Sequence, residues 1–467
     1  MRSGQPIARK RIRGLAAPAA RSRALLGAGA LLATATAGAV AGVPAAAGLA
    51  GGHRPAAALA AVRVTPMIRV PSARLFARPT GGYTPAQIRG AYDLAPLTKA
   101  HINGTGESIV IVDSFGSPTI RHDLGVFDRQ FGLPAPRALT IIHPAGPIPP
   151  FQPTSNRISW AEETTLDVEW AHAMAPRARI VLAETPVSEN EGRSGFPQIE
   201  TAEKYVLAHR LGGVISQSFG ATEQTFPKGS IQPLRGMYIE AASRSHRVTV
   251  VSASGDAGAT DYHNDLTTFY TKPVTSWPAS DPLVTAVGGT DVALNSRGGR
   301  VRPDQVWNDP GFPSAGGGGK SVVFARPAYQ NKDAAVTGAH RGVPDISLSA
   351  SCSHPVDVYK SFSGRGWQVI CGTSEATPLF AGVIALADQA AGHWLGAINP
   401  DLYKLAGAGK AGIVDVTKGD NTVSFSQGGK SYTVHGWKAV PGYDLASGLG
   451  TVNAGILVRK LAALARK

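Results

Sequence analysis

Hydrophobic residues make up 43% and charged residues 17% of the 467-residue chain, which excludes an intrinsically disordered protein and fits a globular protein with a large core. The formal net charge of +14 at pH 7 would suit a nucleic-acid partner, but it is unevenly distributed. The first 82 residues contain twelve of the 46 Lys and Arg residues and no acidic residue, so the remainder has 34 basic and 32 acidic residues. The folded part is therefore almost neutral, and we expect no nucleic-acid partner.

The N-terminus has the features of an export signal. A basic stretch, residues 9–23, precedes an apolar run, residues 24–43, that ends at Pro44 and three alanines. We therefore predict a signal peptide over residues 1–47 and a secreted, extracellular protein without stable membrane association after cleavage. The alternative is a membrane anchor, because about 20 apolar residues can span a bilayer. The predominance of Ala and Gly in the run favours cleavage.

Residues 48–82 are rich in Ala, Arg and Pro, which indicates a short pro-segment or linker. Beyond them, apolar runs of strand length alternate with helical patterns. The apolar runs are 107–116, 177–185, 212–220, 247–256 and 282–290, and helical patterns cover 198–212 and 231–245. This alternation predicts one α/β domain over 83–467, with a doubly wound, mostly parallel sheet and helices on both faces. Ligands of such sheets bind at the carboxyl ends of the strands, where Asp113, Ser218 and Asp256 are expected.

The chain contains two cysteines, Cys352 and Cys371. In an exported protein a disulfide between them is the favoured state, and the alternative is two buried thiols. The bridge would close a loop of about 20 residues and would stabilise the fold by roughly 3 kcal/mol. It would also restrain the turn that carries Ser374.

That turn, CGTSEATPLFAG at residues 371–382, places a serine at the start of a predicted helix over 375–391. The Ser374 hydroxyl would lie at the positive end of the helix, near backbone N–H groups able to hold an oxyanion. The alternative is a simple helix cap. A serine nucleophile needs a neighbouring base. None of the twelve histidines has the sequence context of such a base, and His172 is better explained as a helix residue packed against a core.

A better candidate base lies in SWAEETTLDVEWAHAMAP, residues 159–176. Ser159 and Glu162 fit a capping box, which predicts a helix start at Ser159 and a structural role for Glu162. Glu163 and Asp167 share one helix face that continues with apolar residues, so we expect both carboxyl groups to point into the protein or a cleft. Such a pair can share one proton and abstract another. The alternative is a solvated acidic first turn.

Asp256 follows a predicted strand in the small-residue turn VSASGDAG, residues 251–258. A protonated carboxyl group there could donate a hydrogen bond to an oxyanion, whereas an ionised one would repel it. This role predicts a working pH below about 6, because it depends on carboxyl pKa values. The alternative is an ordinary turn, which Asp and Gly favour.

Seven segments of the chain resemble, in order and context, the sedolisins, which are serine-carboxyl peptidases. These segments are ETTLDVEWAHAMAPRARI (163–180), SQSFG (216–220), SASGDAG (252–258), WPASDPLVTAVGGTDV (277–292), GGGGKSVVFARPAYQ (316–330), PDISLSA (344–350) and CGTSEATPLFAG (371–382). The resemblance runs from about Tyr83 to the C-terminus and implies a subtilisin-like fold and a secreted serine-type endopeptidase active at acid pH. It implies Ser374 as nucleophile and Glu163 as general base. It also implies Asp167 as the carboxyl group that supports Glu163, and Asp256 in the oxyanion hole.

The resemblance also implies one calcium ion near the C-terminus. The implied ligands are two carboxylates and three backbone carbonyls, those of Asp415, Val416, Val440, Gly442 and Asp444. Such hard oxygen atoms are the ligands that Ca²⁺ takes. Val440 stands where the family has glycine, and a positive φ there would strain a valine.

The implied substrates are proteins or peptides, which would bind along SQSFG through Ser218, Phe219 and Gly220. Two alternatives differ from this reading. A secreted, non-catalytic protein-binding homologue of the same fold should lack a catalytic residue, and none of the four is missing. A histidine-dependent subtilisin relative would need a histidine beside Ser374. Nothing in the sequence indicates oligomerisation, so we expect a monomer.

Overall fold

The structure is a computed structural model that describes residues 65–466, except 73, 80, 188–194, 312, 407–408 and 410. The predicted signal peptide, residues 1–47, lies outside the described residues, as does the first part of the predicted pro-segment, residues 48–64. None of the helices in the described part is long and apolar enough to cross a membrane.

Helices and strands alternate along much of the described chain. The helices are α1 (Pro85–Ala91), α2 (Ala95–Lys99), α3 (Ile120–Phe131), α4 (Ser155–Met174), α5 (Phe196–Ala208), α6 (Ile231–Leu234), α7 (Gly236–Ala242), α8 (Ala334–Thr337), α9 (Thr373–Ala391), α10 (Asn399–Ala406) and α11 (Ala454–Ala465). The strands are β1 (Thr65–Pro66), β2 (Ser108–Ser114), β3 (Leu139–Ile142), β4 (Arg179–Thr185), β5 (Val214–Gln217), β6 (Phe219–Thr222), β7 (Thr249–Ala253), β8 (Ser276–Trp277), β9 (Thr285–Asp291), β10 (Gln305–Val306), β11 (Gly319–Ala325), β12 (His340–Val343), β13 (Ile346–Ser349), β14 (Val356–Lys360), β15 (Gly366–Ile370), β16 (Ile413–Val414), β17 (Val423–Gln427), β18 (Lys430–Val434) and β19 (Thr451–Val452).

The central sheet has eight strands in the order β10-β9-β7-β5-β2-β4-β3, and β13 also pairs with β9. The pairs β2 with β4 and β5, β5 with β7, β7 with β9, β3 with β4 and β13 with β9 are all parallel. Within this sheet β10 runs antiparallel to β9. The predicted α/β fold with a mostly parallel sheet is therefore confirmed.

The sheet is buried on both faces, as its apolar strands predict. Along β2, Ile109 and Ile111 pack into one hydrophobic core, while Val110 and Val112 pack into a second. Helix α9 covers the first face, against β5, β7, β9 and β13, and α4 packs on α9. Helices α5 and α7 cover the second face. The side chains at the carboxyl ends of the strands thus meet the start of α9.

Two predicted elements are each divided in the structure. The run 212–220 forms β5 in the central sheet and β6 in a separate three-stranded sheet with β1 and β8, and Ser218 lies between them. The chain leaves the central sheet here because β6 takes antiparallel partners on both sides. The helical pattern 231–245 forms α6 and α7, which meet at Arg235, and Gly236 weakens a continuous helix at that point.

The predicted capping box is wrong. Helix α4 begins at Ser155, and Thr154 caps it by accepting a hydrogen bond from the N–H of Arg157 at 3.3 Å. The earlier cap prevails because the intervening residues adopt helical geometry, so Ser159 lies inside the helix. Glu162 nevertheless has a structural role, since it pairs with Lys360 on β14.

Helices α4 and α9 approach each other closely at Gly382. A Cβ atom there would lie 2.4 Å from Cβ of Met174 and 3.4 Å from the carbonyl oxygen of Ala171. Glycine within a helix costs about 1 kcal/mol relative to alanine, so close packing accounts for its presence. This approach fixes the distance between the two helices that carry Glu163 and Ser374.

We expect Gly382→Ala to lower the free energy of unfolding by about 1–3 kcal/mol, because the added methyl group would force the two helices apart. The matched control is Gly125→Ala in α3, where the nearest neighbour of the new Cβ atom is the flexible Arg129 side chain at 3.4 Å. Urea denaturation of both variants checks the prediction. Equal stability of the two variants would show that the close approach at Gly382 does not matter.

Candidate active site

The predicted nucleophile and base are hydrogen-bonded. Ser374 lies in the first turn of α9, and its Oγ donates to Oε2 of Glu163 at 2.9 Å. Both side chains are fully buried. The turn depends on Gly372, whose φ of +117° is a conformation that glycine adopts readily. By contrast, the ring of His172 faces the carbonyl oxygen of Pro134 at 2.9 Å, in the core position that the sequence predicts.

Asp167 lies one helical turn beyond Glu163, and the two carboxyl groups contact each other. Oδ1 of Asp167 accepts a hydrogen bond from Oγ of Ser218 at 2.9 Å. Oε1 of Glu163 and Oδ2 of Asp167 are buried and accept no other hydrogen bond. A single proton shared between the two groups would satisfy both oxygen atoms. The helix face predicted to be buried is therefore buried.

Burial raises the pKa of Glu163 well above its ordinary value, and the neighbouring charges of Asp167 and Asp113 raise it further. The pKa of Asp167 is raised by burial and then by the charge of Asp113. Asp113, at the end of β2, has its own pKa raised to about 7 by burial. The sequence placed Asp113 at a strand end without giving it a role. The signal in the sequence was an acid inside the apolar run IVIVDS. The negative charge of Asp113 favours the protonated forms of Glu163 and Asp167.

Asp256 follows β7 and lies against the turn that precedes α9. Its Oδ1 accepts hydrogen bonds from N–H and Oγ1 of Thr373, at 2.8 and 2.7 Å. Its Oδ2 is buried and accepts no hydrogen bond. Burial raises the pKa of Asp256 to about 7, although the positive charge of Arg69 opposes the shift. In acid, Oδ2 can carry a proton and act as a hydrogen-bond donor.

The two cysteines, Cys352 and Cys371, form a disulfide, as predicted. Cys371 lies between the end of β15 and Gly372. The disulfide therefore joins the turn before Ser374 to the loop after β13. The turn is thus held covalently on one side and by Asp256 on the other.

The predicted substrate strand is already paired with a strand of the same chain. β6 pairs antiparallel with β1, with Phe219 opposite Pro66 and Gly220 opposite Thr65. The N–H of Met67 donates to the carbonyl oxygen of Ser218 at 2.9 Å. No local pattern in the sequence indicated this contact, because the residues that meet lie about 150 positions apart in the chain.

The predicted calcium ligands come together near the C-terminus. The carboxylate of Asp444 accepts a hydrogen bond from the N–H of Val440 at 3.1 Å, and that of Asp415 accepts one from Gly442 at 2.9 Å. Oγ of Ser447 lies 3.1 Å from Oδ1 of Asp444 and 3.5 Å from the carbonyl oxygen of Val416. The loop that contains Asp415 and Val416 therefore meets the loop that contains residues 440–447.

The residues present fit a calcium ion in chemistry. Burial raises the pKa of Asp444, and a bound cation would oppose this shift by favouring the ionised form. Val440 does not have a positive φ, so the strain expected there is absent. Within the described ranges no three His, Cys, Asp or Glu side chains are grouped as a metal site, and the predicted set contains only two carboxylates. Calcium remains a prediction.

Comparisons with known proteins agree with this fold. Residues 159–429 match the sequence model of the Subtilase family. Kumamolisin of Bacillus sp. (strain MN-32) is 30% identical over 387 residues, which cover 80% of this chain and 62% of kumamolisin. Human tripeptidyl-peptidase 1 is 28% identical over 411 residues, which cover 81% of this chain and 64% of that protein.

A solved structure is also similar. Pseudomonas sedolisin, a serine-carboxyl proteinase complexed with two molecules of pseudo-iodotyrostatin, superposes with a TM-score of 0.66 at 25% identity and covers 83% of this chain and 99% of that one. The fold and the matched residues define a subtilase. Within that class, the chain belongs to the sedolisin family. It spans less than two thirds of the length of the kumamolisin and tripeptidyl-peptidase sequences that it matches.

The buried acids predict that the protein is more stable in acid than in base. A carboxyl group whose pKa is raised on folding stabilises the fold below its unfolded pKa of about 4, and this contribution is lost as the pH rises through the folded value. The folded values are about 7 for Asp113 and Asp256. We expect the free energy of unfolding to be at least about 2 kcal/mol lower at pH 8 than at pH 5.

Urea denaturation of the Ser374→Ala variant at both pH values measures this difference. Asp113→Asn serves as the comparison, because removal of one titrating group should reduce the pH dependence. Greater stability at pH 8 than at pH 5 would contradict the burial argument.

Proposed function

We propose that this protein is a secreted serine-carboxyl endopeptidase that hydrolyses proteins or peptides in acid as a monomer. The hydrogen bond between Ser374 and Glu163, with Asp167 behind it, is the observation that carries the proposal. Residues 1–47 would direct export and residues 83–467 would form the peptidase domain. The known relatives kumamolisin, sedolisin and tripeptidyl-peptidase 1 support this class of activity.

In the proposed reaction Ser374 attacks the carbonyl carbon of the scissile bond, and Glu163 takes the hydroxyl proton. The acceptor is already in place, since Oε2 of Glu163 lies 2.9 Å from Oγ. Asp167 keeps a proton within the carboxyl pair, so Glu163 can accept the serine proton without placing two charges side by side. Glu163 then donates the proton to the leaving amine.

The oxyanion would be held by the N–H of Ser374 and by Oδ2 of Asp256. Only the protonated form of Asp256 can donate a hydrogen bond, and its pKa is about 7 because of burial. This donor is therefore present in acid and lost in base. Removal of one oxyanion-hole donor typically costs about 100- to 1000-fold in kcat.

Internal cleavage is favoured over removal of short N-terminal peptides. The chain segment that lies beside Ser374 includes Thr65 on one side and Arg69 on the other, and it runs on in both directions. A cleft that accepts a continuous chain suits an endopeptidase. Mass spectrometry of the products separates the two modes, because an exopeptidase would release short peptides of uniform length.

Ser374→Ala and Glu163→Gln should each lower kcat/KM for a peptide substrate by at least about a thousandfold at pH 4. Asp256→Asn should lower it about a hundredfold. In the unmodified protein the activity should fall as the pH rises through about 7. A peptide with a fluorescence-quenched pair, assayed from pH 3 to pH 9, measures all of these changes.

Glu240→Gln, a change of a partly exposed acid on α7, is the matched control and should leave the activity unchanged. Activity that persists in Glu163→Gln would favour a histidine-dependent reaction. A folded protein without cleavage at any pH would favour the non-catalytic binding homologue.

We also propose one calcium ion, held by the carboxylates of Asp415 and Asp444 and by carbonyl oxygen atoms of Val416, Val440 and Gly442. When bound, it would join two loops and add no step to the reaction. We expect added calcium to raise the melting temperature by several degrees, since a ligand that binds only the folded state stabilises it. Asp415→Asn should abolish the shift, and Asp420→Asn is the control. An equal shift in both variants would exclude this site.

A further inference from the structure

We propose that the peptide bond between Met67 and Ile68 is a self-cleavage site, and that residues 65–70 occupy the cleft as its first substrate. The inference rests on the proposed peptidase function and adds to it the bond cut and the side chain preferred before that bond. It is carried by the contacts on each side of Ser374.

On the N-terminal side the segment binds as an added β-strand. β1 pairs antiparallel with β6, and the N–H of Met67 donates to the carbonyl oxygen of Ser218 at 2.9 Å. The same carbonyl oxygen lies 3.3 Å from Oγ of Ser374. Addition of a strand to a sheet edge is a common mode of peptide recognition. Met67 is therefore the residue placed beside the nucleophile.

The carbonyl group of Met67 lies in the proposed oxyanion hole. The N–H of Ser374 donates to this oxygen at 3.0 Å. A Cβ atom on Gly372 would lie 2.8 Å from the same oxygen and 2.4 Å from Oδ2 of Asp256, so both oxygens border the same glycine. Both proposed donors thus flank the Met67 carbonyl. The bond that follows Met67 is the one presented for attack.

The side chain of Met67 fills a pocket that glycines keep open. Met67 is 4% exposed. A Cβ atom on Gly220 would lie 2.7 Å from its Cε, and one on Gly255 would lie 3.9 Å from its Sδ and 3.5 Å from Oδ2 of Asp261. A long, unbranched apolar side chain suits this space. An acidic side chain would place its charge near that of Asp261.

On the C-terminal side the segment is held by the turn that carries the nucleophile. The backbone of Arg69 exchanges two hydrogen bonds with Cys371, both of 3.0 Å. The Arg69 guanidinium group donates to the carbonyl oxygens of Asp256 at 3.2 Å and Pro313 at 3.3 Å. The bond between Met67 and Ile68 is therefore fixed on both sides.

The step balances with water as the only co-reactant. Oγ of Ser374 forms a bond to the carbonyl carbon of Met67, and its proton passes to Glu163. The bond to the Ile68 nitrogen breaks as that nitrogen takes the proton from Glu163. Water then hydrolyses the Met67 ester, which leaves a carboxyl group on Met67 and a free amine on Ile68.

Arg69 also makes the rate at which the bound segment is cleaved depend on pH. Nε of Arg69 lies 4.0 Å from Oδ2 of Asp256, and this charge favours the ionised form that cannot hold an oxyanion. Asp261 acts on Asp256 in the opposite sense, because its negative charge favours the protonated form of Asp256. The charge of Asp256 in turn raises the pKa of the neighbouring Glu163 and Glu375. Self-cleavage should therefore be slow at neutral pH and fast in acid.

The test uses the full chain and its Ser374→Ala variant, each incubated at pH 5 and at pH 8. Intact mass and N-terminal sequencing should show a new N-terminus at Ile68 for the unmodified chain, formed at least about tenfold faster at pH 5. The Ser374→Ala variant should not form it. Met67→Asp should slow cleavage at this bond at least about tenfold, whereas Met67→Leu should stay within about threefold of the unmodified rate. Arg78→Ala, a change at an exposed residue of the predicted pro-segment outside residues 65–70, is the control and should not alter the rate.

A synthetic peptide with the sequence of residues 62–73 provides a second measurement that does not depend on the folding of the variants. The processed protein should cut it between Met and Ile, and should cut the version with Asp in place of Met at least about tenfold more slowly. Serine-dependent cleavage of other peptides, with the Met67–Ile68 bond intact in both experiments, would overturn this inference and leave the proposed function standing. Absence of any peptide cleavage by the folded protein would overturn both.

Discussion

The hydrogen bond from Ser374 to Glu163 joins two long helices whose residues are mostly buried, and much of the fold serves to place its two ends. Helix α9 packs on the sheet and α4 packs on α9. Gly382 lets these two helices approach closely. Since the proposed nucleophile and base are on different helices, their distance is set by helix packing. Loop geometry fixes only Gly372 and the turn around it.

Burial determines the chemistry that this arrangement can perform. Asp113, Glu163 and Asp167 lie together in the interior, and desolvation raises the pKa of each of them. A solvated pair of acids would be ionised at neutral pH and would repel each other. Burial favours the protonated forms instead, so in the proposed reaction a carboxyl group can take the place that histidine has in histidine-dependent serine peptidases. The predicted acid stability and the proposed acid activity would thus have one physical cause.

The sequence predicted the features that depend on local pattern, namely the parallel sheet, the buried face of α4 and the acid after β7. It placed the start of α4 four residues late, because Ser159 and Glu162 satisfy a capping pattern that the earlier cap at Thr154 overrides. It also missed the contact of Met67 with Ser374, since no local pattern records a pairing between such distant parts of the chain. The position of such a short segment against distant residues can be recognised only in the folded structure, where the cleft is formed.

The segment in the cleft belongs to the chain that forms the cleft, which changes how any other ligand competes for it. Phe76 pairs with Trp367 and Tyr83 with Pro355, so the connection between the segment and the domain is short and anchored. A ligand tethered in this way acts at an effective concentration in the millimolar range or above, independent of how dilute the protein is. Dilution therefore cannot empty the cleft. An added inhibitor would appear weak against the intact chain and tight after the segment is removed, although its own contacts with the protein would be the same in both cases.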